Sequence, residues 1–512
     1  MTKVSQGVLG FHVIIEKPAA GVTSFGGLVL LLELMRVLLT KKEYRRLAGA
    51  LGYGAWRTAR RHFESLVLLL AGGGEALSDI DVLRGDPGLS KLLGFKPSSA
   101  TQLKDFLYHF HQDEHGKKLG SKADGELAVK GEARIRPEGP GLVVLGDILT
   151  EATRKLQAVH QRLTATMDVD ATIIEGNKQF ALKTYEGMKG YQPQAAFWAE
   201  QGTFTKDEYR DGNVPAAYRA VDFVKKMFAS LPGSITKRRL RADSALYDEE
   251  TLTWLGDVAR IDFVVSADMS PELKREVRKL REEDWKPYRS NSAKAREEAR
   301  LKARKEGRLK DDESAEAEAE ERQWAEVCFV PGWKRNLKKN TEAKPFRYIA
   351  IRVRSRQMEM VETAQGELIP SPPAWKHFAV VSNMEDWEGE RLLNWHREKQ
   401  GTVEFGHQLV KNGLAARVPP TGQFGANAAF YRFTLLTLTY IRLLQVKALP
   451  ADMQNAEPKT LRFRIFRLAG RVVQTGRRLV LKLAESLPGA PNVLNARRAI
   501  LMLRAELAAL PG

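Results

Sequence analysis

Between residues 24 and 113 the apolar positions recur at helical spacing, with Leu28, Leu31, Leu32, Met35 and Leu38 on one stripe. A second apolar run covers Phe63 to Leu70. After a Gly-Asp-Pro-Gly turn at 85–88, Leu89 to Leu93 and Leu103 to Leu107 read as short helices, with Ser98 or Ser99 as a cap. Such an array fits a helix-turn-helix and equally a small helical bundle. Residues 116–141 are rich in Gly, Lys and Pro and read as a linker or loop, and Gly141 to His160 as one more helix.

The period then changes. Thr164 to Ile174 is rich in β-branched residues, and Tyr191 to Glu200 and Thr203 to Tyr209 read as two further strands. An amphipathic helix over Pro215 to Ser230 precedes a strand at Ser234 to Ala242, a helix at Tyr247 to Ala259 and a buried strand at Ile261 to Ser266. Three strands, helix, strand, helix, strand predicts a mixed α/β sheet. From Pro271 to Glu326 the chain is dense in charge, basic over Lys294 to Lys310 and acidic over Asp311 to Arg322, and reads as a solvated helical hairpin. Strands resume at Phe346 to Ser355 and Phe378 to Ser382, and a helix follows from Glu385 to about Asn412. Ala426 to Leu444 is apolar all round, as a buried helix is.

Composition narrows the class. A chain of 512 residues with 43% hydrophobic and 28% charged residues is globular, with room for several domains. The apolar stretch from Phe25 to Leu39 is broken by Glu33 and Arg36, which argues against a membrane span. No signal-peptide pattern is read at Met1 to Gly21, and the expected location is the cytoplasm, at the nucleoid when bound to DNA. One cysteine, Cys328, excludes a disulfide framework and a cysteine zinc site, and reads as a buried thiol. His109, His111 and His115 read as a surface feature. The net charge of +18 suggests a polyanionic partner, nucleic acid above all. Eleven Lys and Arg against two acids fall between Pro458 and Gly512, including Arg462, Arg464, Arg467, Arg471, Arg477, Arg478 and Lys482. That basic segment would hold DNA without regard to sequence.

The candidate chemistry is acidic. Asp168 and Asp170 are two apart in a strand and share a face. Asp243 ends the later strand in Arg241-Ala242-Asp243-Ser244. An aspartate where a core strand meets a loop is well placed to hold a metal. On the late helix Arg397, Glu404 and Lys411 are seven apart and form one stripe, with Gln400 and His407 beside it. Gly401, Gly406 and Gly413 make this a poor helix, so something other than helix stability shapes it.

At these residues the chain resembles the DDE transposases of bacterial insertion sequences, particularly the insertion sequence 1380 group. The resemblance is carried by Met167 to Ile174, Thr184-Tyr185-Glu186-Gly187-Met188-Lys189-Gly190-Tyr191-Gln192-Pro193, Tyr209 to Val214, Leu240 to Ala245 and Gln400-Gly401-Thr402-Val403-Glu404. Weaker matches lie at Leu83 to Pro97 and Gly425 to Ala429. It implies an RNase H-like core with Asp170, Asp243 and Glu404 as catalytic metal ligands. Asp168 is the alternative first carboxylate; Asp170 is preferred because Asp170-Ala171-Thr172 fits the Asp-x-Thr of related enzymes. The resemblance also implies a largely β insertion between Asp243 and Glu404. The late helix of relatives has tyrosine where Arg397 stands and arginine where Gln400 stands, while Lys411 fits.

The implied organisation is a helical N-terminal DNA-binding region at 1–115, linker and helix at 116–160, the core at 161–270, an insertion domain at 271–375, the second part of the core with the Glu helix at 376–445, and a basic segment at 446–512. The implied activity is cut-and-paste DNA transposition with Mg²⁺, for which Mn²⁺ may substitute, held as two ions. Arg397, Gln400, Lys411 and the C-terminal arginines (Arg462, Arg464, Arg477, Arg478) would contact DNA. The implied partners are element ends and target DNA, paired by a homodimer, with no membrane and no small-molecule cofactor. Two other classes stay open: a repurposed DNA-binding protein without catalysis, and a nuclease that cuts without joining.

Overall fold

The structure, a computed structural model, describes residues 3–4, 13–14, 21–120, 122–127, 131–291, 294–295, 298–299, 302, 320–335, 346–355, 359–362, 368–371 and 374–508. Among these, nine strands form one mixed sheet. In chain order they are β1 Thr164–Ala171, β2 Gln194–Trp198, β3 Thr203–Glu208, β4 Lys237–Ala242, β5 Asp262–Ala267, β6 Lys286–Pro287, β7 Glu320–Val327, β8 Arg347–Ser355 and β9 Lys376–Ser382. Across the sheet the order is β6-β7-β8-β9-β5-β4-β1-β2-β3. β1, β4 and β5 run parallel, and every other neighbouring pair is antiparallel.

The helices that matter here are α1 Val29–Leu38, α2 Lys41–Ala50, α3 Trp56–Gly72, α4 Ala100–Tyr108, α5 Pro140–Val159, α6 Ala220–Ser230, α7 Gly389–Arg397, α8 Val403–Gly413, α9 Phe424–Ala448 and α10 Ala490–Ala508. The period-two pattern of β1 divides its side chains between two layers. Ala165, Met167 and Val169 pack with Phe223, Val224 and Met227 of α6. Asp168 and Asp170 face the other side, where α7 and α8 lie. On that side Val264, Ile349 and Val380 of the sheet meet Leu392, Leu393 and Trp395 of α7.

The largest apolar cluster joins α1 to α5 with α9 and α10, so the N-terminal helices share a core with the C-terminal ones. As its composition predicts, α9 is buried on every side from Phe424 to Ile441. Its threonines survive burial because Thr434, Thr437 and Thr439 return their hydroxyls to the carbonyls of Tyr431, Phe433 and Leu435. Arg432 survives by donating to Asp207 at 2.7 Å, to the Leu142 carbonyl at 2.6 Å and to Glu138. No described helix is long and apolar enough to cross a membrane.

Several expectations change. Among the described residues of the expected insertion at 271–375, β7 and β8 join the central sheet beside β9, and Glu359–Glu362 pairs with Leu368–Ser371 in a separate two-stranded sheet. The strand β7 at Glu320–Val327 replaces the end of the helical hairpin expected there. Most of the charge run at 294–319 lies outside the described residues. The basic C-terminal segment is in part a β-hairpin, β10 Gly470–Thr475 and β11 Arg478–Leu483, turned at Gly476, whose φ of 58° favours glycine. Of the two candidate caps Ser99 caps α4, while Ser98 is buried against His62. Cys328 is exposed, not buried.

Candidate active site

β1 and β4 lie side by side and parallel, so their carboxyl ends open on one edge of the sheet. Asp170 is the penultimate residue of β1 and Asp243 follows β4 directly. The Asp243 carboxylate is held by the turn it starts, accepting the Ala245 N–H at 3.1 Å. Glu404 sits in the first turn of α8. That helix comes close to the sheet because residue 406 is glycine: a Cβ there would lie 2.7 Å from a Phe197 ring carbon. The poor helix propensity noted in the sequence thus has a packing reason. Asp170, Asp243 and Glu404 line one cleft of about 530 Å³, together with Ser244, His396, Arg397, Lys399 and Gln400. Ile351 of β8 and Phe378 of β9 complete its wall.

Asp168, the rival first carboxylate, does other work. It stands opposite Arg241 in the β1–β4 register, and the Arg241 guanidinium grips it with Nε at 2.6 Å and Nη2 at 2.9 Å. Arg241 also donates to the Trp395 carbonyl at 2.8 Å and to Glu398 at 3.0 Å. The Thr402 hydroxyl donates to Asp168 as well. Asp168 and Arg241 are buried, and Asp168 does not line the cleft. This clasp fastens the turn between α7 and α8 to the sheet, which sets where Glu404 begins its helix.

The same clasp breaks the predicted helix. α7 stops at Arg397, a tight turn spans Glu398–Gly401, and Thr402 adopts φ −115° and ψ −87° before α8 starts. Arg397, Glu404 and Lys411 therefore do not form one continuous stripe. Arg397 and Gln400 still line the carboxylate cleft, Arg397 with its guanidinium 5.3 Å from the Tyr288 ring centre. Lys411 lines a neighbouring cavity with Arg417 and Gly73. Burial holds the Lys411 pKa below its usual range, against the pull of Asp170.

Sequence reasoning missed Lys399. Its ammonium is buried and lies 3.2 Å from Asp170. Burial, with Asp243 and Glu404 adding, pushes the Asp170 carboxyl up to about 6 against the opposing Lys399 charge. Burial also works against the Lys399 charge, but Asp170, Asp243 and Glu404 outweigh it and hold the ammonium above its usual range. His407 lies 3.9 Å from Asp170, and burial lowers it to about 3, so it is neutral. His396, lowered by burial to about 4, donates from Nε2 to the Ala242 carbonyl at 3.0 Å. Asp170 and Lys399 come from distant parts of the chain, so no local signal pairs them.

Among the described residues no three His, Cys, Asp or Glu side chains are already gathered as a metal-ligand group. What the cleft does show is a cation drawn in among three carboxylates. Three carboxylates on one cleft, with hard oxygen donors and with Asp243 and Glu404 disfavouring the Asp170 charge, fit a hard divalent ion.

The predicted C-terminal contacts divide. Arg462 is not a free cation: it donates to the Ala71 carbonyl at 2.9 Å, to Leu70 at 3.3 Å and to Gly413. It ties the end of α3 to the end of α8, and burial lowers it to about 10. Arg467 similarly reaches the Gly72 carbonyl at 3.2 Å. Arg464, 3.9 Å from Asp452, and Arg471, Arg477, Arg478 and Lys482 are exposed. The histidine cluster is not a surface feature as a whole. His111 is buried 3.5 Å from Asp124 and His109 contacts the Leu51 carbonyl at 2.6 Å, leaving only His115 exposed.

This chain belongs to the DDE transposases: the family described as transposase DDE domain group 1 matches residues 10–505. Such transposases generally use divalent metal ions. Among solved structures the chain is similar to piggyBac transposase in a synaptic complex with hairpin DNA, at 9% identity over 97% of this chain and 88% of that one, with a TM-score of 0.42. No curated protein matches the chain.

Proposed function

We propose that this transposase binds the ends of its own element and cuts and joins DNA there by cut-and-paste transposition. The observation that carries the reading is the convergence of Asp170, Asp243 and Glu404 on one cleft that already draws in a cation. The strand order β3-β2-β1-β4-β5, two antiparallel strands beside three parallel ones, supports an RNase H-like core. The motif set supports the insertion sequence 1380 group.

Asp170, Asp243 and Glu404 would hold Mg²⁺, or Mn²⁺, as a pair of ions. When bound, the ions neutralise the carboxylates and activate the attacking and leaving oxygens of a phosphodiester. The chain's own residues do the rest. Arg397 and Gln400, on the cleft wall, hold phosphate oxygens beside the carboxylates. The Asp168–Arg241 clasp keeps Glu404 in register with Asp170. Lys411 and the exposed arginines of the β10–β11 hairpin hold the DNA backbone outside the cleft. Hydrolysis at the element end leaves a 5′-phosphate and a free 3′-OH, and that 3′-OH then displaces the 3′-oxygen of a phosphodiester in a second strand. Residues 79–112 are our candidate for recognising the end sequence, and a homodimer pairs the two ends in the bacterial cytoplasm.

The test is incubation with a labelled duplex of the element's own end, a plasmid target and Mg²⁺. Joined products are expected. Cleavage without joining would make the protein a nuclease, and binding without cleavage a DNA-binding protein.

A further inference from the structure

A second cavity shares no lining residue with the carboxylate cleft. It measures about 360 Å³ and is lined by Arg36, Arg57, Thr58, Arg60, Arg61 and Glu64, with Leu93, Gly94 and Phe95 closing one side. Four guanidinium groups face a single carboxylate. Glu64 is buried at the base, where Arg36 holds it with two hydrogen bonds of 3.2 and 3.1 Å. Arg60 stands 3.8 Å from the same carboxylate. Arg57 and Arg61 have no carboxylate partner among the described residues. Glu64 can neutralise only one of the four, so the cavity keeps a strong positive charge.

Three further observations say what this charge meets. The cavity takes in the first turn of α3, which has no side-chain cap and no acidic residue. The positive end of its dipole adds to the arginines, although the Thr58 N–H is taken by the Ala55 carbonyl at 3.1 Å. Trp56 holds the cations in place from beside the cavity, with Lys41, Arg57 and Arg60 at 5.6, 5.3 and 5.2 Å from its ring. Finally, the charge is not confined to a point. From Arg36 to Arg61 there are eight Lys and Arg against the one acid Glu43, and Lys41, Lys42 and Arg45 are exposed on the adjoining α2. Arg46 is taken by Asp147 at 2.7 Å. A lone phosphate would need one cradle. An extended row of cations beside that cradle matches a polyanion.

We propose that Arg57, Arg60 and Arg61, at the uncapped start of α3, form a cradle for the backbone phosphates of duplex DNA. This rests on the reading of the chain as a transposase that works on DNA. The cradle is separate from the cleft: α3 has 17 residues and spans roughly 25 Å before it ends at Gly73, beside the cavity that holds Lys411. Its rim of Leu93, Gly94 and Phe95 lies in the candidate end-recognition segment. The cradle thus anchors the duplex without reading its sequence, next to the part that would read it.

The test uses the full-length protein and fluorescence anisotropy with two duplexes, the element's end and a random sequence, over a salt series. Arg57→Glu/Arg61→Ala should weaken both duplexes alike, by about tenfold or more, and lower the salt slope by about 0.9 for each phosphate that is no longer neutralised. Arg57→Lys should keep most of the affinity. In the wild type, duplex DNA should protect these arginines from phenylglyoxal, a readout that needs no variant. Tripolyphosphate at the same phosphate concentration should protect far less; equal protection would make this a small-anion site and overturn the duplex assignment. Unchanged affinity and slope in the variant, or no protection by duplex, would also overturn it. A wild type that binds neither duplex would instead refute the broader reading of function.

Discussion

Removing the Asp168 carboxylate separates the two neighbouring aspartates by role. Asp168 and Arg241 are both buried and joined by two hydrogen bonds of 2.6 and 2.9 Å. In Asp168→Ala the guanidinium keeps Glu398, whose side chain is 54% exposed, the Trp395 carbonyl and a long 3.5 Å contact to the Thr402 hydroxyl. Breaking one side of such a buried pair costs about 3–5 kcal/mol. Asp170→Asn removes a carboxylate whose charge burial already disfavours, and leaves Lys399 beside Asp243 and Glu404, so its stability should stay within about 1 kcal/mol of wild type. The assay is urea unfolding followed by tryptophan fluorescence, with hydrogen exchange of β1 and β4 to localise the loss. Arg241→Met in the Asp168→Leu background should recover part of the cost, because an apolar pair replaces two buried charges. The reasoning fails if Asp168→Ala is as stable as wild type yet binds no Mg²⁺. Asp168 would then be the ligand, and the clasp no structural necessity.

Other outcomes follow from the same geometry. Asp170 has its folded pKa raised to about 6, so the folded chain binds the extra proton below that value and loses this stability as pH rises through it. Mg²⁺ should therefore raise the thermal midpoint more at about pH 8 than at about pH 5; an equal shift would contradict the assignment. Lys399→Met removes the cation that competes for Asp170, so Mn²⁺ titration should show binding tightened by roughly three- to tenfold, while metal-free protein becomes less stable. Weakened Mn²⁺ binding would mean that Lys399 supports the site. Gly406→Ala places a methyl against Phe197 and pushes α8 off the sheet, costing about 1–3 kcal/mol and slowing cleavage through Glu404; wild-type rates would show that the helix position does not matter.

How much was legible follows from where each signal resides. The strands of the core were readable because β1 carries its own alternation, and the same alternation placed Asp168 and Asp170 on one face. Periodicity could not separate them, since what buries Asp168 is Arg241, one strand away in space and 73 residues away in sequence. The helix from 385 to 412 looked continuous because its break comes from Thr402 reaching Asp168, a tertiary contact without a proline or turn motif to announce it. The strand at 347–355 was visible as a strand, but that at 320–327 was hidden in a charged run read as a helical hairpin, and nothing local says which sheet edge either joins. The C-terminal arginines looked alike in sequence, and only packing shows that Arg462 spends its donors on carbonyls near residue 71. The arginine cradle was not legible, although the charge between residues 36 and 61 is denser than that of the C-terminal segment. Its arginines alternate with core residues of α3, and only the fold brings Arg36 and Phe95 to the same cavity.

The central claim is that Asp170, Asp243 and Glu404 act together on a DNA phosphodiester. The most direct measurement is single-turnover cleavage of the element's end duplex in Mg²⁺ and in Mn²⁺, for wild type beside Asp170→Asn, Asp243→Asn and Glu404→Gln, with duplex binding measured on the same samples. The account predicts cleavage by wild type alone and unchanged binding by all four proteins. Cleavage that survives in any of the three variants, or that proceeds in excess chelator, would contradict it.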